Sequence, residues 1–284
     1  PVRLGVPLGP GAGALTMPAS LAGAPYYSVK VVTVVPDNPP RGLPLVGAAV
    51  LLGDAATGAA LALIDGTTLT ALRTGAAGGG AAAALARPES AVLALFGVGA
   101  QARTQLLAAA HVLSVREVRV VGRTPANVAA FLVWASEQPS LRATLVRAAV
   151  AEDAVAGADV VVTATGSATP VFPGRLLALG THVTAIGSFT PAMRELDEDA
   201  LRGARVVVDE RRAALAEAGE LVGRSGDDVV EIGEVLAGRV PGRRDRSDRT
   251  VFKSVGNAVQ DLVVAARVYE LAVQRGLGEE VRFP

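Results

Sequence analysis

The sequence of 284 residues contains no cysteine, and this absence excludes several kinds of protein at once. Without thiols there is no disulfide framework, no zinc site built on cysteine and no cysteine nucleophile. Histidine is scarce too, since His111 and His182 are the only two. Neither belongs to a motif with the spacing of metal ligands, so we expect no metal site.

An excess of charge of either sign is also lacking, because 27 basic residues balance 27 acidic ones. A balanced charge gives no electrostatic basis for binding nucleic acid or an anionic membrane. No apolar run reaches the ~18 residues of a transmembrane helix, and no signal-peptide pattern is visible. Hydrophobic residues still make up 50% of the chain, enough for a substantial core. These patterns predict a soluble cytoplasmic protein with neither nucleic acid nor membrane as a partner.

The most informative segment is an apolar run that ends in a glycine-rich turn, AVLALFGVGAQA at residues 91–102. The G-x-G-x-x-A pattern between a predicted strand and a predicted helix is typical of a dinucleotide-binding turn. Its first glycine forms the tight turn, the second lets the backbone approach a pyrophosphate, and the small third residue allows close packing. We expect the pyrophosphate at the helix N-terminus. The residues around it are then Gly97, Gly99, Ala100 and Gln101.

The strand predicted over residues 117–122 bears on the choice of dinucleotide. Enzymes that use NAD usually place Asp or Glu at the end of this strand, where it binds the ribose 2′-hydroxyl. Here Arg123 and Thr124 follow the strand instead, and a guanidinium with a hydroxyl suits a 2′-phosphate. We therefore expect NADP(H) in preference to NAD(H), held by Arg123, Thr124 and Asn127. A solvated arginine at a strand end is the alternative.

The order of predicted elements indicates an α/β protein with a doubly wound parallel sheet of the Rossmann type. Strands are predicted at 91–96, 117–122, 144–148, 159–163, 182–186 and 205–209. Ligands of such folds bind outside the carboxyl ends of the strands. The small polar loops there, above all at Thr165, suit a nicotinamide ribose, although an ordinary turn is the alternative. Residues 238–249 form a charged, turn-rich segment that we interpret as a solvated loop.

The two ends of the chain are predicted to form a second, smaller α+β domain. Strands are expected at 28–35, 45–52 and 60–64, and a helix at 68–86. Glycines 78–80 inside that helix indicate close packing rather than a linker. An amphipathic helix after Gly256 is expected to pack back onto the first part. The predicted domains are residues 1–86 with 255–284 for substrate binding and dimerisation, and residues 87–254 for the dinucleotide.

Short motifs in a fixed order along almost the whole chain carry a resemblance to a known family. They are Met17-Pro-Ala, Val29-Lys-Val-Val-Thr-Val, Pro36-Asp-Asn, Gly42-Leu-Pro, Asp54-x-x-Thr-Gly, Leu69-Thr-Ala-Leu-Arg-Thr-Gly-Ala-Ala, Gly97-Val-Gly-Ala-Gln-Ala, Ala158-Asp-Val-Val-Val-Thr-Ala-Thr, Arg194-Glu-Leu and Thr250-Val-Phe-Lys-Ser-Val-Gly-Asn-Ala-Val-Gln-Asp. With them the chain resembles the ornithine cyclodeaminase/mu-crystallin family. Family members usually carry several dozen residues before the Pro-x-Arg that matches residues 1–3, so a fragment and a shortened front both stay open.

The resemblance implies a small amino or imino acid whose carboxylate is bound by Arg3, Lys30 and Arg73. Lys30 interrupts an apolar strand and Arg73 is flanked by small residues, and a basic group on such a background requires a partner. A bound carboxylate supplies one. The alternatives are a snorkelling Lys30, an internal salt bridge of Arg73 and a disordered terminus at Arg3. The resemblance also implies a homodimer through the first part, with Val31–Val35 as its surface. Further cofactor positions that it implies are Thr74, Thr163, Ile186 and Ser254.

The resemblance separates activities within the family at one position. Its cyclodeaminases use an aspartate as the base for ornithine, and the matching residue here is Phe189. An aromatic ring accepts no proton, so we expect Phe189 to form an apolar wall beside the substrate. The chain is then predicted to be an NADPH-dependent ketimine reductase, converting 1-pyrroline-2-carboxylate and 1-piperideine-2-carboxylate to L-proline and L-pipecolate. Lys30 is the predicted catalytic residue, helping to keep the imine protonated.

Three alternatives stay open at this point. The first is another enzyme activity, either an alanine-type amino-acid dehydrogenase or an ornithine cyclodeaminase with another base. The second is a degraded fragment whose missing front abolishes activity, and the third is a non-catalytic NADP-dependent ligand-binding protein like mu-crystallin. Intact basic residues argue against the last, since a binder of apolar ligands has no need of a carboxylate site. Asp261 is also left with two interpretations, ordering the active site or packing the last helix.

Overall fold

The computed structural model describes residues 3–281 of the chain. Its strands are β1 (Leu4–Gly9), β2 (Ala12–Ser20), β3 (Tyr26–Val34), β4 (Val46–Asp54), β5 (Ala60–Asp65), β6 (Val92–Phe96), β7 (Glu117–Val121), β8 (Thr144–Arg147), β9 (Val160–Thr163), β10 (His182–Ala185), β11 (Arg205–Val208), β12 (Val229–Glu231) and β13 (Thr250–Lys253). Its α-helices are α1 (Gly66–Leu85), α2 (Ala100–Val112), α3 (Pro125–Ser136), α4 (Ala151–Val155), α5 (Glu198–Leu201), α6 (Arg211–Glu217), α7 (Ile232–Leu236) and α8 (Ala258–Arg275). None of the helices in residues 3–281 combines the length and apolarity needed to span a membrane.

The chain divides into two compact units. The first unit contains the residues up to Arg73 and those from Asn257 onward, and the second contains Thr74–Gly256. The sequence placed the change of domain after residue 86, whereas here it falls inside α1. The reason is the packing of the glycine-rich part of α1, described below, which joins that part to the second unit.

The first unit is built on an antiparallel sheet with the strand order β1-β2-β3-β4-β5. Strand β3 alternates, so that Ser28, Lys30 and Val32 are buried. Apolar residues of the strands pack against α8, and Met17, Val50 and Leu262 belong to this one core. The prediction that the last helix packs on the first part of the chain is therefore confirmed. Strands β1 and β2 were not predicted, because small residues, glycine and proline dominate both.

The second unit is a parallel sheet with helices on both faces, in the order β12-β11-β13-β10-β9-β6-β7-β8. Separate apolar clusters cover its two faces. Strand β6 pairs with both β7 and β9, so the topological switch point lies at its carboxyl end. The predicted fold class is confirmed. Strands β12 and β13 were not predicted, because they contain only 3 and 4 residues. Strand β13 lies between β10 and β11 in the sheet, although both precede it in the chain.

Three glycines of α1 allow it to lie directly on α2. A Cβ at Gly75 would stand 2.7 Å from Thr104 Cβ, and one at Gly79 would stand 2.9 Å from Ala108 Cβ. A Cβ at Gly78 would overlap the Gln105 side chain. Close packing at this poor helix sequence is thus confirmed, except at Gly80, where a Cβ would meet open space.

The segment 238–249 is more ordered than the sequence indicates. Arg243 is half-buried, and its Nε donates a hydrogen bond of 2.8 Å to the carbonyl oxygen of Leu85. Its Nη2 donates to Gly180 O at 3.1 Å and to Thr250 Oγ1 at 3.2 Å. The expectation of a solvated loop is therefore wrong at Arg243, because a guanidinium donates to several carbonyls at once and holds the loop on the sheet.

The single tryptophan of the chain, Trp134, lies on α3 in the second unit. Its ring packs against Phe131, with the centroids 5.3 Å apart. The Arg103 guanidinium of α2 lies over it, 4.8 Å from the ring centroid. This cation–π contact joins the two helices beside the sheet.

His182 is fully buried in β10, the strand between β9 and β13. Its Nδ1 lies 2.9 Å from Thr250 Oγ1 and its Nε2 lies 3.0 Å from Thr184 Oγ1. Burial, together with the positive charge of Arg243, lowers the pKa of His182 from 6.5 to about 3. The folded protein therefore keeps this imidazole neutral where the unfolded chain would protonate it.

We expect His182 to make the protein less stable in acid. Between pH 6.5 and about 3 the unfolded state binds more protons at this residue, so the free energy of unfolding falls as the pH falls. The slope from one such group is at most about 1.4 kcal/mol per pH unit. His182→Gln, measured by denaturant unfolding between pH 4 and 6.5, should show a shallower slope. His111→Gln, at an exposed position, is the control and should keep the wild-type slope. Equal slopes in both variants would contradict the assignment.

Candidate functional site

The glycine-rich turn after β6 has the geometry that its sequence predicts. Gly97 has φ +107°, and a Cβ there would overlap the carbonyl oxygen of Ala164. Gly99 is the N-cap of α2 and supplies no side chain to cap it. A Cβ at Gly99 would meet no atom within 4 Å. The first turn of α2 therefore presents its N–H groups to open space that a pyrophosphate can occupy.

A cavity of about 470 Å³ opens beside this turn. Its lining comes from the carboxyl ends of β6, β7 and β9, the location expected for a ligand of a doubly wound sheet. The predicted cofactor residues that line it are Gly97, Gly99, Arg123, Thr124, Asn127 and Thr165. The structure thus brings together the pyrophosphate turn, the residues singled out for a 2′-phosphate and the nicotinamide-ribose candidate.

The other predicted cofactor residues lie outside that lining. Ala100 and Gln101 form the first turn of α2, and Oε1 of Gln101 is buried without a hydrogen-bond partner in the described residues. Thr74 is buried on α1, where its carbonyl oxygen accepts a hydrogen bond of 2.7 Å from Gln105 Nε2. Ile186 is buried after β10, and its N–H donates to Thr163 O.

Two predicted cofactor residues contact a residue to which the sequence assigned no role. The fully buried Glu195 accepts hydrogen bonds from Thr163 Oγ1 at 2.9 Å and from Thr165 Oγ1 at 2.7 Å. It also accepts from the backbone N–H groups of Thr165 at 2.7 Å and Gly187 at 2.6 Å. Glu195 stands in the Arg194-Glu-Leu motif, so the sequence contained a signal for it without revealing its partners.

Ser254, the last predicted cofactor residue, follows β13 and donates a hydrogen bond of 2.8 Å to Asp209 Oδ2. Asp209 Oδ2 also accepts from the N–H of Gly256 at 2.6 Å. This carboxylate follows β11 directly and fixes the loop after the neighbouring strand. Asp209 was not predicted from the sequence, because its partners Ser254 and Gly256 lie 45 and 47 positions away and come near it only when β11 and β13 pair in the sheet.

A buried polar chain ties β13 to the segment that carries Phe189. Lys253 Nζ donates to Ser188 Oγ at 2.7 Å, and Ser188 Oγ donates to Glu220 Oε2 at 2.6 Å. Lys253 and Glu220 also form an ion pair of 3.3 Å, with both side chains fully buried. Phe189 follows Ser188 and is 37% exposed. Its ring is thus available to a ligand while its backbone is anchored at the preceding residue.

The first unit carries the predicted carboxylate-binding residues as one cluster. Lys30 Nζ lies 2.7 Å from Asp261 Oδ2, and Arg73 Nε lies 3.0 Å from Asp261 Oδ1. Arg73 Nη1 also donates to Gln260 Oε1 at 2.7 Å. Lys30 and Asp261 are at most 1% exposed. Strand β3, helix α1 and helix α8 each contribute to this cluster, in which Asp261 pairs with both cations.

The charges of this cluster act on one another. Arg3 is close enough to Lys30 for its charge to affect the lysine. Burial and the charge of Arg73 lower the pKa of Lys30 from 10.5 to about 8, although Asp261 opposes this shift. Asp261 is thus an internal partner of both Lys30 and Arg73, and for Arg73 this is the internal salt bridge that the sequence left as an alternative.

The model of the ornithine cyclodeaminase/mu-crystallin family matches residues 3–276. The chain belongs to this family. The resemblance carried by the motifs is thereby confirmed over almost the whole described chain.

Similar proteins within the family include reductases and a dehydrogenase. The chain is 39% identical over 278 residues to a Δ1-pyrroline-2-carboxylate reductase of Bacillus cereus, covering 95% of this chain and 85% of the relative. The structure of the Thermococcus litoralis Δ1-pyrroline-2-carboxylate reductase with NADH and L-proline matches with a TM-score of 0.93 and 35% identity, covering 99% of this chain and 89% of that one. An archaeal alanine dehydrogenase dimer with bound NAD matches with a TM-score of 0.92 and 36% identity, covering 100% and 88%.

The similar proteins confirm some of the predictions and leave others untested. The predicted class of enzyme, an oxidoreductase that uses a nicotinamide dinucleotide, is confirmed. The two matched structures hold NADH and NAD, so the preference for NADP(H) stays a prediction. The roles of individual residues likewise stay predictions.

We expect Asp261 to be essential for the stability of the first unit. Asp261→Asn leaves Lys30 and Arg73 buried without their common carboxylate, and such a change typically costs about 3–5 kcal/mol. Denaturant unfolding measures this loss. The control is Arg267→Gln on the same helix, which breaks an exposed pair with Glu270 and should cost less than about 1 kcal/mol. Comparable effects of the two variants would show that the cluster does not depend on Asp261.

Proposed function

We propose that this chain reduces cyclic ketimines, namely 1-pyrroline-2-carboxylate and 1-piperideine-2-carboxylate, to L-proline and L-pipecolate with a reduced nicotinamide cofactor. The observation that carries the proposal is the buried cluster in which Lys30 and Arg73 converge on Asp261, close enough to Arg3 for its charge to act on Lys30. Such a cluster suits a substrate with one carboxylate. The named reductases among the relatives, one with L-proline in its structure, support this substrate class.

The side chain of Lys30 is suited to two tasks. An ammonium group has three N–H donors, and the ion pair with Asp261 uses one of them. The remaining donors are directed to the substrate carboxylate and the imine nitrogen. Because its pKa is about 8, Lys30 is largely protonated at neutral pH and still gives up a proton readily. It therefore holds the carboxylate and keeps the imine nitrogen protonated, which makes the imine carbon electrophilic.

The cavity beside the glycine-rich turn fits a nicotinamide dinucleotide. Its support is the open space at Gly99 and the uncapped N-terminus of α2. Gly97, Gly99, Ala100 and Gln101 hold the pyrophosphate in this proposal. When bound, the reduced cofactor supplies the hydride that the electrophilic imine carbon accepts. Thr165, Ile186 and Ser254 border its nicotinamide end, with Thr74 and Thr163 behind them.

Phe189 disfavours the cyclodeaminase alternative. An aspartate base at this position would take a proton from ornithine, whereas a phenyl ring, 37% exposed, offers only apolar contact. An uncharged ring of five or six atoms suits such a wall better than an aminoalkyl chain does.

We also propose that the protein is a homodimer that uses the outer face of the first unit's sheet. Val31 is 44% exposed and Leu63 is 77% exposed, and Leu4 and Val6 on the edge strand are 63% and 48% exposed. The cross-strand neighbours of Val31 are Thr16 and Ala49, so small side chains surround Val31 on this face of the sheet. Among the relatives, the archaeal alanine dehydrogenase is described as a dimer. The molar mass in solution tests the assignment.

Steady-state oxidation of NADPH and NADH, followed at 340 nm with both imines, tests the proposed function. We expect turnover whose kcat/KM falls above pH 8, where Lys30 loses its charge. Lys30→Met should lower kcat/KM about 10- to 100-fold, the usual effect of losing a hydrogen bond to a charged group.

Lys30→Arg identifies the group behind the alkaline decline. Arginine stays charged, so the decline should move to higher pH in this variant. A decline that stays at the same pH belongs to the substrate imine instead. Absence of turnover with either imine and either cofactor would contradict the proposed function. Ammonia release from ornithine, or ammonia-dependent reduction of pyruvate, would then indicate cyclodeaminase or alanine dehydrogenase activity.

Arg123 is expected to select NADPH over NADH. It lines the cavity with Thr124 and Asn127 at the end of β7, where a 2′-phosphate would lie. Arg123→Ala should lower kcat/KM for NADPH about 10- to 100-fold and leave the value for NADH within about twofold. The control is Arg147→Ala, an exposed arginine at the end of the adjacent strand β8. Equal losses with both cofactors would contradict a role of Arg123 in specificity.

A further inference from the structure

Glu195 is a fully buried carboxylate whose four hydrogen-bond donors all come from two strand ends. Thr163 and Thr165 stand at the carboxyl end of β9, and Gly187 follows β10. No lysine or arginine forms an ion pair with Glu195 in the described part of the chain. A buried anion that has no cation depends on its hydrogen bonds, so these donors and this carboxylate fix one another.

The two oxygens of Glu195 divide the donors evenly. Oε1 accepts from the N–H and the hydroxyl of Thr165, at 2.7 Å each. Oε2 accepts from the Thr163 hydroxyl at 2.9 Å and from the Gly187 N–H at 2.6 Å. Each oxygen therefore faces one backbone N–H, which can only donate. An amide in place of the carboxylate would put its NH₂ group against one of these N–H groups in either orientation.

The backbone of Glu195 and its neighbour organises the rest of the same cavity wall. The carbonyl oxygen of Glu195 accepts from Val171 N–H at 2.9 Å, and Arg194 N–H donates to Ser167 O at 2.9 Å. Ser167 and Val171 both line the cavity. Glu195 thus contacts this wall at Thr165 through its side chain and at Val171 through its main chain, while Arg194 contacts it at Ser167.

This wall reaches the pyrophosphate turn on its other side. The carbonyl oxygen of Ala164, between the two threonines, lies where a Cβ of Gly97 would be. At the same time the backbone of Thr165 and the Glu195 carboxylate leave no space for a Cβ at Gly187. The end of β6 therefore packs on the end of β9, and Glu195 joins the end of β9 to the end of β10.

From this geometry we propose that Glu195 is the positioning residue for the nicotinamide half of the cofactor. It contacts neither substrate nor reacting atoms in this role, but fixes the turn 163–165 and Gly187, which border that half. The adenosine half lies along Arg123, Thr124 and Asn127 at the end of β7, where Glu195 has no contact. The inference rests on the proposed dinucleotide site and is independent of the imine substrate.

Equilibrium binding separates the two halves of the cofactor. NADH and ADP-ribose, which lacks the nicotinamide, are titrated by calorimetry against the wild-type protein and Glu195→Gln. NADPH with 2′-phospho-ADP-ribose replaces this pair if the wild type prefers the phosphorylated cofactor. We expect Glu195→Gln to weaken binding of the reduced dinucleotide about tenfold or more and to change ADP-ribose binding less than about threefold.

Asp197→Asn is the matched control. Asp197 lies two residues after Glu195 in the chain and does not line the cavity. It accepts hydrogen bonds of 2.9 Å from the N–H groups of Gly174 and Ala200. It should reduce thermal stability without changing the ratio of the two affinities. Thr163→Val is a milder variant that removes one donor to Glu195, and it keeps the test available if Glu195→Gln does not fold.

The outcomes distinguish the inference from the proposed function. Selective weakening of the reduced dinucleotide supports the role of Glu195. Equal weakening of both ligands, or no change in either, overturns it and makes Glu195 a support of the fold in general. A wild-type protein that binds neither ligand overturns the dinucleotide site itself.

Discussion

Carboxylates that accept backbone N–H groups join the loops at the carboxyl edge of the parallel sheet. Glu195 joins the ends of β9 and β10, and Asp209 joins the end of β11 to the loop after β13. Loops that leave a sheet lose the ladder partners of their backbone groups, and in a buried place those groups need other partners. A carboxylate satisfies several at once. The fully buried Glu195 thus positions one wall of the cavity, and the half-buried Asp209 positions the loop after β13.

The first unit uses charge in the opposite way. Its cluster brings Lys30 and Arg73 to the carboxylate of Asp261, and the charge of Arg3 acts on Lys30 as well. Burial and the neighbouring charge of Arg73 disfavour the charged form of Lys30, and its lowered pKa is the sign of that cost. Perturbed pKa values of this kind cluster at functional sites. The two units thus differ in the partners of their charged groups: carboxylates of the second unit accept backbone N–H groups, whereas the carboxylate of Asp261 in the first unit pairs with two cations.

The sequence was sufficient for the fold class and for the dinucleotide turn, because both depend on local patterns. Gly97 and Gly99 are recognisable from spacing, and the strands around them from apolar runs. Partners far apart in the chain were not predictable in the same way. Lys30 meets Asp261 across 231 positions through the packing of α8 on β3. Glu195 was part of a motif, but its four donors come together only once the order of β9 and β10 is known. Strand β13 was missed because a short run of Thr-Val-Phe-Lys has no alternation long enough to identify it.

Trp134 gives the protein a built-in optical reporter. It is the only tryptophan of the chain and belongs to the second unit, where Phe131 and the Arg103 guanidinium pack on its ring. Its emission therefore follows the environment of α2 and α3 and carries no signal from the first unit. Reduced nicotinamide absorbs where tryptophan emits, so quenching of this residue by energy transfer would register cofactor loading. The same fluorescence, followed during denaturation, would register the unfolding of the second unit.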